Sequence, residues 1–220
     1  MKKLHNYKNG FTMIELVIVI AVLGILAALA IPRMQRDRTQ EAADTILSNI
    51  RYTQHMAIND FKEKPESNKW QRSFWQIQID SCANNSGIFM AIGSDLNNTG
   101  TLTQTDAALD PINGKPIFWD TTQDCSDGGD DTVSSNAFLT KKFGVASITT
   151  TGGCNGVNSI GFDHLGRPHI SFSDSKKPYY KSIMTSTCTM TFTMKGDADD
   201  FSIQIEPETG YAHIVGQNAS

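Results

Sequence analysis

The chain has 220 residues, four cysteines and a formal net charge of −4. That length holds one domain of ordinary size beside a membrane segment. The mild acidity speaks against strong non-specific binding to nucleic acid or to anionic lipid.

Phe11 to Ile31 is a run of 21 residues whose one charge is Glu15. As a helix rising about 1.5 Å per residue it spans a hydrocarbon core of about 30 Å. Lys2, Lys3 and Lys8 precede it in a ten-residue leader without an acid, which places the leader on the cytoplasmic side. A carboxylate inside a bilayer helix costs about 2.5–3.5 kcal/mol and needs a partner. No Lys, Arg or His lies between Phe11 and Pro32 to serve. A cut after Gly10 would create one, because the new α-amino group of Phe11 is cationic near neutral pH. Glu15 then stands one helical turn along, near the positive end of the helix dipole. The cut removes three Lys and no acid, taking the net charge from −4 to −7.

Gly10, Phe11, Thr12, Glu15 and Leu16, followed by the apolar run and Pro32, closely resemble the class III signal of type IV pilins and pseudopilins. The resemblance implies that a prepilin peptidase cuts after Gly10 and N-methylates Phe11. It implies that Glu15 neutralises the Phe amine of a neighbouring subunit during assembly, and that the Gly24-to-Pro32 segment melts inside the filament. The implied partners are other pilin or pseudopilin subunits, the peptidase and inner-membrane lipid. The implied location is the inner membrane, single-pass, with the leader in the cytoplasm and the C-terminal part in the periplasm. Two alternatives are a plain signal anchor and a secretory signal peptide cut after Ala28-Leu29-Ala30. Against the signal peptide, Glu15 would lie inside its apolar core, and the span is long for one.

After Pro32 the sequence keeps a helical rhythm. Ala43, Ile46, Leu47, Ile50, Ala57, Ile58 and Phe61 follow i, i+3, i+4 spacing, with charges on the other face. This predicts one helix from about Thr12 to about Asp60, ended by Pro65 and the polar 63–69 stretch. From Phe74 the period becomes two. The strand candidates are 74–79, 88–92, 116–119, 143–150, 160–162, 170–172, 188–194, 201–205 and 211–215. The expected fold is α+β: a long N-terminal helix, transmembrane in its first half and amphipathic in its second, packed on an antiparallel β-sheet or sandwich. The expected organisation is a leader at 1–10, an assembly helix at 11–31, its amphipathic continuation at 32–64 and a β domain at 65–220.

Cys82, Cys125, Cys154 and Cys188 all lie beyond the span, on the side where disulfides persist. Four cysteines allow three pairings, of which Cys82–Cys125 and Cys154–Cys188 close local loops. Zinc is the weaker reading, for want of a C-x-x-C or a His at ligand spacing. One loop has the layout of a calcium site. Asp95, Asn97, Thr99, Thr103 and Asp106 fall at positions 1, 3, 5, 9 and 12 of a twelve-residue frame. Gly100 takes the turn, and Thr101 offers its carbonyl. Thr99 replaces an acid and Asp106 is short for its place, which predicts weak Ca²⁺ binding at best. The bland reading is a polar surface turn. The acidic 124–131 stretch reads as a solvated, mobile loop.

His55, His164, His169 and His213 accompany no nucleophile motif, phosphate loop or H-E-x-x-H, so the chain does not read as an enzyme. Asp163-His164 near Gly166-Arg167-Pro168 reads as a turn. Arg33, Arg36 and Arg38 fit the outer interface of the helix, and Trp70, Phe74, Trp75 and Trp119 fit a core. The second half resembles, more distantly, the minor pilin and pseudopilin H group, whose last hairpin matches 201–205, Thr209-Gly210 and 211–215. In some DNA-uptake members that hairpin is basic. Here Tyr211, Ala212 and His213 stand there, flanked by Glu206 and Glu208, and DNA is not an expected partner.

The expected function is a structural subunit, a minor one on its size and irregular loops, of a type IV pilus or type II secretion pseudopilus. The alternative is a filament-tip module binding DNA or a secreted substrate.

Overall fold

A computed structural model describes residues 11–64, 66–172, 177–196 and 198–217, and between 27 and 37 it describes the backbone alone. One helix, α1 (Met13–Asn59), runs unbroken through Gly24 and Pro32. From Phe11 to Leu26 every residue is exposed, large apolar side chains included. The second half behaves differently. Ala42, Ala43, Ile46, Ile50 and Ala57 are buried on one stripe, as their spacing requires. Asn49 and Thr53 lie on that stripe too, and the Thr53 hydroxyl donates to the Asn49 carbonyl at 2.8 Å, which makes its burial tolerable. Ile58 and Phe61, expected in the stripe, stay largely exposed; Phe61 lies beyond the end of α1 and packs edge-on against His164 at 4.7 Å.

Among the described residues eight strands follow: β1 (Trp75–Ser81), β2 (Ile88–Ser94), β3 (Val145–Gly152), β4 (Ser159–Phe162), β5 (Pro168–His169), β6 (Cys188–Met194), β7 (Phe201–Ile205) and β8 (Ala212–Ile214). They form two antiparallel sheets, ordered β2-β1-β4-β5 and β3-β6-β7-β8. In the second sheet Cys188, Met190, Phe192 and Met194 point inward while Thr189, Thr191 and Thr193 are half-exposed. This is the alternation a one-sided antiparallel strand needs. Helix α1 packs on β1 and β4 of one sheet and on β7 and β8 of the other, so both sheets share one core beneath it.

Two expected strands are absent. Residues 116–119 form an irregular buried segment, in which the Ile92 N–H donates to the Ile117 carbonyl and the Ile117 N–H to the Ala108 carbonyl. Together with 107–109 the segment covers the outer edge of β2, which would otherwise stand open to pairing. Near 170–172 the pairing falls earlier, at β5, because Ser171 takes a left-handed φ of 54° that ends the extended run.

The disulfides are Cys82–Cys125 and Cys154–Cys188. The first ties the end of β1 to the long connection before β3. The second ties the β3–β4 turn to the start of β6. The acidic 124–131 stretch is therefore held at Cys125, and Asp124 and Asp130 close turns on the N–H groups of Ser126 and Thr132 at 2.8 Å. Apart from Cys125 the stretch is exposed or half-exposed, as a solvated loop is.

The helix clamps the two sheets at one point. Gln54 Nε2 donates to the Gly166 carbonyl at 2.8 Å and to the Thr209 carbonyl at 2.9 Å, joining the β4–β5 turn to the β7–β8 turn. Gly210 sits in that junction with φ of 67°, and a Cβ there would lie 2.3 Å from the Gly166 oxygen and 2.6 Å from Gln54 Nε2. Gly210→Ala is expected to lower stability by at least about 1–3 kcal/mol through backbone strain alone, read by denaturant unfolding. An unchanged midpoint would show that the junction yields freely.

Candidate functional site

Thr12 and Glu15 build the N-terminal site. Glu15 Oε2 accepts from the Thr12 N–H and from the Thr12 hydroxyl, both at 3.0 Å, and the Glu15 N–H donates back to Thr12 Oγ1 at 3.3 Å. This is a capping box that satisfies two of the orphan donors at the start of α1. The T-x-x-E spacing of Thr12 and Glu15 carries the signature of this neutral pairing, which stands beside the cation expected for Glu15. The cap also survives a cut after Gly10, since the Thr12 N–H remains a peptide amide. It holds the carboxylate at the very end of the helix, beside the place where a new Phe11 amine would stand.

Phe11 and Met13 are exposed at 86% and 85%, so the tip and its apolar shaft touch nothing else in the domain. The expected site residue Gly10 lies outside the described residues, as does the leader. Pro32 lies where the backbone alone is described, and the same holds for Arg33, Arg36 and the Ala28–Ala30 alternative. Among the described residues no helix is long and apolar enough to cross a membrane. Residues 27–31 of the expected span belong to the stretch without described side chains.

The family described as the prokaryotic N-terminal methylation motif matches residues 5–31. The chain is type IV pilin-like. It is similar to the Type IV major fimbrial protein FimA of Dichelobacter nodosus, 29% identical over 132 residues that cover 53% of this chain and 82% of that one. Two further matches to proteins of that description and organism are shorter. One is 36% identical over 66 residues, covering 29% of this chain and 42% of the relative. The other is 42% identical over 45 residues, covering 20% and 29%. No solved structure matches at a significant level. Motif and relatives together support a pilin-like structural subunit.

The pilin-like chain carries its other candidate residues in the β domain. In the calcium-like loop Asp95 accepts from the N–H groups of Thr99 and Gly100 at 3.0 and 2.6 Å. Asp106 accepts from the Thr103 N–H and hydroxyl at 3.1 and 2.6 Å. The Thr99 hydroxyl donates to the Thr101 carbonyl at 3.0 Å. The two carboxylates thus close the loop on itself, while Asn97 at its tip is exposed. Among the described residues no group of three or more His, Cys, Asp or Glu is gathered as a metal site.

One constellation escaped the sequence reading. His169 Nδ1 lies 2.8 Å from Ser182 Oγ, and His169 Nε2 lies 3.2 Å from Asp163 Oδ2. These are the three groups of a hydrolase triad. The 13-residue spacing of His169 and Ser182 carried no signal. Ser182 has no exposed surface, however, and Asp163 and His169 are 4% exposed, so no substrate reaches the hydroxyl. The group is a structural lock. Asp163 also receives the Arg167 Nε at 2.7 Å and the N–H groups of Leu165 and Arg167 at 2.9 Å, which shapes the β4–β5 turn.

Burial alone would raise the Asp163 carboxyl. The hydrogen bonds from His169 and Arg167 outweigh it and hold the group well below the usual carboxylate range. A carboxyl depressed in the folded state contributes stability that is fully present above its unfolded value, near about pH 4, and is lost as the pH falls below it. Asp163→Asn is therefore expected to lower stability at neutral pH by about 1.5–3 kcal/mol and to flatten its decline in acid. Urea midpoints measured from neutral pH down into acid check this, and parallel slopes for both proteins would remove Asp163 from the account.

Proposed function

We propose that this chain is a structural subunit of a type IV filament, cut after Gly10 by a prepilin peptidase and assembled through α1. The observation that carries the reading is the exposed half-helix from Phe11 to Leu26, apolar on every side and bearing one carboxylate at its capped tip. In water such a surface is a liability. In a membrane and then in a bundle of like helices it is covered. The Glu15 carboxylate, desolvated there, is compensated by the N-terminal amine of a neighbouring subunit.

A minor subunit fits best. The connection between β2 and β3 contains no strand and is shaped by short turns and the Cys82–Cys125 bond, which suits a unit with its own surface more than a uniform repeat. The reading is the same for a pilus or a secretion pseudopilus. DNA is not among the proposed partners, since the hairpin 201–214 holds Glu206 and Glu208 and no Lys or Arg.

Glu15 serves as helix cap and as charge, and Glu15→Gln separates the two roles. A glutamine keeps the capping box but not the anion. The variant is expected to insert in the membrane as well as the parent, to be cut after residue 10, and to fail to enter filaments. Immunoblotting of sheared filaments against the membrane fraction measures this. Incorporation equal to the parent would rule out the charge pairing.

A further inference from the structure

The β2-β1-β4-β5 sheet turns Ile77, Ile79 and Ile160 to the core. The opposite face carries Gln76 and Gln78 of β1, with Ser159 of β4 directly across from Gln78. These three form the floor of a cleft of about 470 Å³, walled by residues 100–102 on one side and 119–122 on the other. Small-molecule sites run from roughly 300 to 1,000 Å³. We propose that this cleft binds a neutral, hydroxyl-rich ligand of the carbohydrate class.

The chemistry of the lining selects that class. No Lys or Arg contributes to it, so a phosphate, nucleotide or carboxylate ligand would find no counter-charge. Its one formal charge, Asp120, is already committed to the Thr122 N–H and hydroxyl at 2.7 and 2.5 Å and to Gln123 Nε2 at 2.9 Å. What remains is the Gln78 amide and the Thr101 hydroxyl, which donate and accept as a sugar hydroxyl does, and the hydroxyl oxygens of Ser159 and Thr122, whose protons go to Gln76 and Asp120 and which accept. Gln76 is 3% exposed and accepts from Ser159 Oγ at 3.1 Å, which fixes both side chains of the floor.

A second observation points to a ligand oxygen. Trp119 in the wall is 8% exposed, and its indole N–H has no acceptor among the described residues. Buried N–H donors are almost always paired; this one is sealed within the wall, and a ligand hydroxyl pairs it by displacing the wall beside Trp119. The rest of the cleft is set before any ligand arrives. Asp95 holds the N–H groups of Thr99 and Gly100, so the calcium-like loop acts as one wall. Trp119 is braced edge-on by Phe138 at 5.0 Å.

The test is an array of neutral, sialylated and phosphorylated glycans, probed with the labelled full-length chain in a detergent without a sugar head group. The expected result is retention on a set of neutral glycans, and titration of the best of them gives the affinity. Gln78→Ala, at a half-exposed floor position, is expected to weaken binding about five- to tenfold, the loss of one hydrogen bond. Trp119→Phe, which keeps a ring but removes the N–H, is expected to do likewise. Thermal unfolding of both variants separates a lost contact from a lost fold. Absence of neutral-glycan binding, a preference for anionic glycans, or unchanged affinity in a folded Gln78→Ala would each overturn the proposal. Filament entry of Gln78→Ala is expected to equal the parent's, so this site and the assembly reading fail separately.

Discussion

A single carboxylate at the head of an apolar helix sets the terms for the rest of the molecule. Glu15 finds its first partners in the Thr12 amide and hydroxyl within its own helix; the second, in the proposed assembly, is the cation that a cut after Gly10 would generate. The first pairing orients the carboxylate, and the second would neutralise it. Neither alone serves both purposes. A neutral cap leaves the charge in place within hydrocarbon, and an amine facing an uncapped, freely rotating carboxylate loses pairing energy to side-chain entropy.

The two halves of the helix have different surroundings. Its first half meets no part of the β domain, while its second half is the roof over both sheets. A rigid connection between the two matters for a subunit whose inner half would be held by neighbours and whose outer half displays a domain. Contacts gathered on about one turn of the helix tie its outer half to the domain. Arg51 reaches the Ala212 carbonyl at 3.0 Å, Gln54 clamps two turns, and Tyr52 donates to the Leu109 carbonyl at 3.1 Å. The closely packed glycines 166 and 210 let those turns approach each other.

The elements most legible in the sequence are those fixed by a local period. The helix ends, the buried stripe from Ala43 to Ala57 and the 188–194 strand follow from spacing alone, because a 3.6- or 2-residue rhythm needs no knowledge of the partner surface. The 116–119 segment misled because an apolar run is equally what a buried edge cover requires. The β5 pairing shifted because Ser171 adopts a conformation that only tertiary context selects. The Asp163–His169–Ser182 lock was invisible, since its members come from the β4–β5 turn, from β5 and from the segment after it, which meet only after folding. The same is true of the cleft, where Gln76, Gln78, Ser159 and Trp119 converge from separate segments. At the N-terminus the residues were legible and one role was not. Glu15 was readable as a buried charge, while its use as a cap lay in a spacing that the search for a cation obscured.

The central claim is that cleavage beside Phe11 gives Glu15 its counter-charge. Intact-mass and fragment-ion spectrometry of the chain recovered from its native membrane or filament tests it in one measurement. The account predicts a polypeptide that begins at Phe11 and carries one added methyl group on its α-nitrogen. A native chain that begins at Met1, or at Ile31 after Ala30, would contradict it.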